Sequence, residues 1–247
     1  MRKVALFCVA LFVGALGVTA VASAIQGNQT VTVSLKSNRA GTKAKPRSVS
    51  RLTTTTATTV VAGEAPFAAT RAVIHFDKNL VFNASKFPSC SQTVVQQNDA
   101  QCPRGSKVGS GSANATLFSG NAASGAQTPR VTAYNGKSGK IYLLVVNPSP
   151  ALRAVMVGSL KSDSGKYGRK LDVAIPPVLQ NGGLPGLTIT LTRFQTSVGG
   201  TFRGTPYVAL KGCSGGKLNY KGDFTFRDNT GVVSTKSATS TGTCRRG

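Results

Sequence analysis

After residue 24, no stretch of this 247-residue chain has the apolar spacing of an amphipathic helix, so strands must bury its core. Gly186 to Phe194 alternates cleanly, with Leu187, Ile189 and Leu191 on one face and Thr188, Thr190 and Thr192 on the other. Lys140 to Val146 is continuous enough for a buried central strand, and Pro148 and Pro150 end it. Arg71–Phe76 and Leu80–Phe82 bracket the turn signal Asp77-Lys78-Asn79. Lys217 to Phe226 places Leu218, Tyr220, Gly222, Phe224 and Phe226 on one face, and Val232 to Ser240 returns after a turn. Ser89 to Gln97 has room for a turn or two of helix. About ten short strands do not sit easily in one flat sheet. The pattern therefore predicts an all-β fold, an antiparallel β-sandwich (Ig-like or jelly-roll-like) with little helix.

The first 24 residues follow another logic. Arg2 and Lys3 precede an apolar run from Val4 to Val18, and Ala22-Ser23-Ala24 is a small-x-small cleavage site. This is the layout of a secretory signal peptide, with Ile25 as the expected first mature residue. The apolar run is short for a membrane span and no second run of spanning length follows, so no transmembrane span is expected after cleavage.

Removing Arg2 and Lys3 takes the formal net charge from +23 to +21. A charge of this size governs partners rather than fold: anionic cell-envelope polymers or acidic polysaccharide fit an exported chain. Residues 25–51 read as a basic N-terminal lead-in or linker, and residues 52–247 as a single β-sandwich domain. Lys36, Arg39, Lys43, Lys45, Arg47 and Arg51 are the expected contacts to an anionic surface, with no acid among them. Nucleic acid is not an expected partner. The tyrosines are scattered rather than gathered into a stacking platform, and no recognised motif is visible.

Cys8 leaves with the leader, and Cys90, Cys102, Cys213 and Cys244 remain. Four cysteines in an exported chain predict two disulfides, with three connectivities open; local pairing is the simplest. None of these cysteines has the spacing of a zinc knuckle, and the single His75 is distant in sequence, so no metal or other cofactor is expected.

Gly212-Cys213-Ser214-Gly215-Gly216 fits the G-x-S-x-G pattern of serine hydrolases, with His75 upstream as in trypsin-like proteases. However, Cys213 stands where those proteases have aspartate, and no aspartate falls between Asp99 and Asp163, where the middle member is expected. The motif reads as a glycine turn beside a disulfide cysteine. The chain has seven carboxylates: Glu64, Asp77, Asp99, Asp163, Asp172, Asp223 and Asp228. Asp77, Asp163 and Asp228 adjoin turn residues, where they commonly cap backbone groups. Asp172 and Asp223 lie in predicted strands, with nothing in the sequence to bring them together. His75 is expected as a half-exposed strand histidine, and no catalytic residue is assigned.

From Phe87-Pro88-Ser89-Cys90 through Cys102-Pro103-Arg104-Gly105-Ser106-Lys107-Val108-Gly109, the chain resembles uncharacterised secreted proteins of high-GC Gram-positive bacteria. The pattern continues in Gly139–Tyr142, Leu171–Pro176 and Gly222–Phe226, ahead of Cys244. The resemblance implies a secreted β-rich protein and supplies no catalytic residues. The expected function is a non-catalytic, secreted or envelope-associated protein that binds anionic surface polymers. Two alternatives are a jelly-roll-like glycan-binding module and a secreted hydrolase.

Overall fold

A computed structural model describes residues 25–247; the expected leader, residues 1–24 with Cys8, lies outside them. The described chain is all-β and antiparallel. Its first half holds β1 (Gln29–Lys36), β2 (Arg47–Val49), β3 (Arg51–Thr58), β4 (Phe67–Asp77), β5 (Leu80–Phe82), β6 (Lys107–Ser119), β7 (Ala122–Gln127), β8 (Arg130–Asn135) and β9 (Lys140–Pro148). Its second half holds β10 (Ala151–Ser162), β11 (Tyr167–Ala174), β12 (Leu187–Gly199), β13 (Thr201–Phe202), β14 (Thr205–Pro206), β15 (Val208–Leu210), β16 (Lys217–Asp228) and β17 (Val233–Thr243). Helix is confined to α1 (Gln92–Asn98), α2 (Val178–Asn181) and single 3₁₀ turns. None of these helices is long and apolar enough to cross a membrane.

Twelve strands join one sheet in the order β1-β3-β12-β6-β8-β9-β10-β11-β4-β16-β17, with β7 alongside β6. The two layers expected of a sandwich are opposite parts of this one sheet, which curls so that β1 packs against the β16–β17 hairpin. The close approach explains two glycines. A Cβ on Gly242 would meet the Val33 carbonyl oxygen at 3.1 Å and the Tyr220 ring at 3.0 Å. A Cβ on Gly222 would meet the Phe224 ring at 2.6 Å and Val31 Cβ at 3.3 Å.

The curl changes the role of the N-terminal segment. Residues 25–51 are not a linker. β1 pairs with β3 along its whole length, and its alternation puts Val31 (2% exposed) and Val33 (5%) into the core. β2 pairs with β15 in a second, three-stranded sheet with β5. Lys36 takes an outward position on β1, Arg47 and Arg51 are exposed at the starts of β2 and β3, and Arg39, Lys43 and Lys45 are exposed between strands, so the segment is basic and structural at once.

β9 is buried on both sides, as its unbroken apolar run demands. Ile141, Leu143 and Val145 join the interior, while Leu144 packs with Val155, Tyr134 and Val95 beneath α1. Ser91 caps α1 by accepting from the Val94 N–H. Arg153 holds the other end of α1, donating to the carbonyls of Val95 and Gln96 and to Asp99. In β12, a bulge between Leu191 and Arg193 shifts the phase by one residue. Leu187, Ile189 and Leu191 before it and Phe194, Thr196 and Val198 after it therefore point inward together. Thr190 is fully buried, its hydroxyl bridging the Phe67 N–H and carbonyl.

Of the three connectivities, the local one is present: Cys90 joins Cys102 and Cys213 joins Cys244. The second links the entry of β16 to the exit of β17, where Lys217 and Thr243 are in register. The chain-entropy model assigns a loop of this size about 3–4 kcal/mol. Replacing Cys213 and Cys244 by serine is expected to lower unfolding free energy by about that amount, read as a shift in the urea midpoint.

Candidate functional site

The chain has only seven carboxylates, and the fold uses every one. Asp77 is buried and accepts from the N–H groups of Asn79 and Asn219. Asp228 closes a turn through the N–H groups of Thr230 and Val232. Glu64 accepts from the N–H groups of Gln26 and Val61. Asp99 accepts from Tyr134 Oη at 2.5 Å and from Arg153.

The remaining three lie on the outer face of β10, β11, β4 and β16. Asp172 and Asp223 both stand opposite Val73, from either side of β4, so the topology does bring them into one row. Two strand spacings put their backbones about 10 Å apart. Asp172 is clamped by Arg71 at 2.8 Å and Lys161 at 2.9 Å, which hold its carboxyl well below the usual carboxylate range. His75 lies between Asp163 (Nδ1 to Oδ2, 2.5 Å) and Asp223 (Nε2 to Oδ2, 3.0 Å). Burial works to raise both of these carboxyls. It is outweighed at Asp163 by hydrogen bonds from His75 and the Ser164 N–H, and at Asp223 by those from Ser237, Lys221 and His75. Both therefore stay ionised. Neither member of the Asp172–Asp223 pair is held protonated, so the pair lacks the raised carboxylic acid that a glycosidase needs.

His75 is a half-buried strand residue, as expected, and is clamped on both sides of its ring. Both its ring nitrogens are engaged by carboxylates, leaving none for Ser214. Its neighbour on β16 is Lys221, four residues, or about 13 Å, from the strand start at Lys217. Ser214 lies beyond that start, exposed, in the glycine turn beside Cys213. The constellation is a cross-strand hydrogen-bonded staple, with no nucleophile–base pair.

The six expected anion contacts are all exposed and fall into three groups. Lys36 and Arg51 are directly opposite across β1 and β3. Lys43 and Lys45 occupy the turn between β1 and β2. Arg39 and Arg47 line a surface cleft of about 340 Å³ with Ser37, Asn38, Ser48 and a residue the sequence reasoning missed, Arg245. The cleft forms because residues 38–40 run beside the chain end. The Ala40 N–H donates to the Arg245 carbonyl at 2.8 Å, and the Arg245 N–H to that of Asn38 at 3.0 Å. Arg245 and Arg246 follow Cys244, so a disulfide near the chain end was the available signal that this pair of charges would be fixed in place.

A second concavity is apolar. A cavity of about 320 Å³ opens inside the curl beneath α2, between β6, β9, β10 and β12. It adjoins a smaller one of about 90 Å³ that reaches toward β3, and Leu191, Phe194 and Met156 line both. Every Tyr and Phe among the described residues is buried or half-buried, so the surface platform expected of a glycan-binding module is not among them.

No family model and no curated protein matches the chain. A solved structure it resembles in part is the T6 backbone pilin of serotype M6 Streptococcus pyogenes, a modular three-domain protein. The match has 11% identity and a TM-score of 0.32, and covers 87% of this chain and 36% of the pilin chain. The chain thus spans about a third of that structure's length, and at this distance function rests on the chain's own residues.

The low carboxyl pKa values have a stability consequence. A carboxylate depressed in the folded state contributes fully above its unfolded value of about 3.9, and that contribution is lost as pH falls through the folded value. Urea midpoints are therefore expected to be flat above about pH 5 and to fall below about pH 4. Asp172→Asn is expected to cost about 1 kcal/mol at pH 7, since both its partners are more than half exposed. It should also flatten the acid limb.

Proposed function

We propose that the protein works outside the cytoplasm as a non-catalytic binder of anionic envelope polymers, with the Arg39–Arg47–Arg245 cleft as its specific contact. The observation that carries this reading is the cleft itself. Three arginines line it, and each of the seven carboxylates makes its contacts elsewhere in the fold. Guanidinium groups pair in bidentate fashion with phosphate and carboxylate, the charged groups of such polymers. Ser37 and Ser48 add hydroxyl donors to the same wall. Two disulfides and the leader pattern support export, because disulfides persist in oxidising compartments. The broad positive charge supplies long-range attraction, and the cleft supplies the fixed geometry that a diffuse field lacks.

Sodium polyphosphate titrated onto the full chain purified from a secreting host tests the reading. Replacing Arg39, Arg47 and Arg245 by alanine is expected to weaken binding roughly tenfold and to reduce the salt slope by about 0.7 per lost contact. The variant K86A/K137A/R227A removes as much charge elsewhere and is expected to lose much less. Equal losses in the two variants, or binding undiminished in 1 M salt, would overturn the cleft assignment.

A further inference from the structure

The apolar cavity inside the curled sheet takes no part in the reading above and rests on different residues. We infer that it is a binding site for a neutral single-chain lipid, a hydrocarbon tail carrying one hydroxyl or carbonyl oxygen.

Three observations carry the inference. First, a core built to native density leaves few voids larger than a water molecule, yet this one holds about 320 Å³ with a further 90 Å³ adjoining it. An apolar cavity less than half that size can bind a small hydrocarbon. The two spaces share Leu191, Phe194 and Met156 in their walls, so a chain entering beneath α2 has room to extend from the wide one toward the narrow one.

Second, the wall of the wide part is made of apolar side chains that the fold leaves incompletely covered. Leu152, Leu179, Leu187, Ile189, Leu191 and Phe194 are only half-buried although they face the interior. At the rim, Leu184 is 58% exposed, in the loop that follows α2. A ligand that removes these surfaces from water gains the hydrophobic contribution that folding alone does not.

Third, the narrow part ends in hydroxyls. Thr54, Thr56 and Thr196 face it from adjacent strands β3 and β12. Thr196 is more than nine-tenths buried, and its Oγ1 has no hydrogen-bond partner in the protein. A buried, unpaired hydroxyl aimed into an apolar space is costly unless a guest pairs with it. No cationic side chain lines either cavity, so the matching group is a neutral oxygen rather than a carboxylate or phosphate.

The test is displacement of N-phenyl-1-naphthylamine fluorescence from the full secreted chain by 1-dodecanol, dodecanoate or dodecane. Dodecanol is expected to displace the probe at micromolar concentration, ahead of the other two. Ala115→Phe, which fills the wide cavity, is expected to weaken dodecanol at least tenfold. Because that change can disturb packing, Leu184→Ser at the exposed rim provides a second variant, expected to weaken it two- to fivefold with unfolding unchanged. Thr196→Val should reduce the preference for dodecanol over dodecane about fivefold while the protein remains as stable or becomes more so. Absence of saturable displacement, or dodecanol affinity undiminished in a folded Ala115→Phe protein, overturns the site. Tighter binding of dodecanoate than of dodecanol, or an unchanged alcohol preference in Thr196→Val, overturns the assignment of a neutral oxygen.

Discussion

The structure depends on one contact: β1 packing against the β16–β17 hairpin at Gly222 and Gly242. Without it, the twelve-stranded sheet would be an open surface exposing its whole inner face to water. With it, Val31 and Val33 join Leu218, Tyr220 and Phe224 in one interior. The contact is made by side chains meeting backbone, so its tolerance is steric. A side chain larger than hydrogen at either glycine would hold β1 off. Both concavities are by-products of this closure. The apolar one is space the curled sheet encloses and does not fill. The arginine cleft forms beside the seam, where residues 38–40 meet Arg245.

A shortage of negative charge shapes the electrostatics. A chain with 30 basic residues and 7 acidic ones cannot neutralise its surface locally. Here the acids hold backbone turns, cap a loop or bind cross-strand partners. The His75 staple and the Asp172 clamp lie on neighbouring rows of one outer face, so they pin β11 and β10 to β4 and β16. At Arg39 and Arg47, where no acid is near, the charge stays open to solvent.

Much of the strand pattern was legible because each strand follows its own alternation or apolar run. β9 was readable as a buried central strand from Lys140 to Val146 alone, and local cysteine pairing was the simplest of three connectivities left open. What escaped depends on partners remote in sequence. The alternation of Thr30 to Leu35 was readable as a strand, but the basic run from Lys36 to Arg51 suggested a linker and hid that the segment closes the sheet. The bulge at Arg193 adds one residue that alternation cannot foresee, so Phe194 faces inward with Leu191 instead of joining the threonines. Asp172 and Asp223 share a row only because β4 lies between their strands. Arg245 became part of the cleft through backbone pairing with a segment about 200 residues away.

The closing contact also orders how the molecule is made. β1 is the first strand of the described chain, and its partners on β16 and β17 arrive almost 190 residues later. Until they do, β1 and β3 form a hairpin-like pair whose apolar face has nothing to cover it, and β12 must also return to β3 from far along the chain. Topologies dominated by such distant pairings fold on the millisecond-to-second scale rather than in microseconds. Nearly the whole chain must therefore be synthesised before the interior can close.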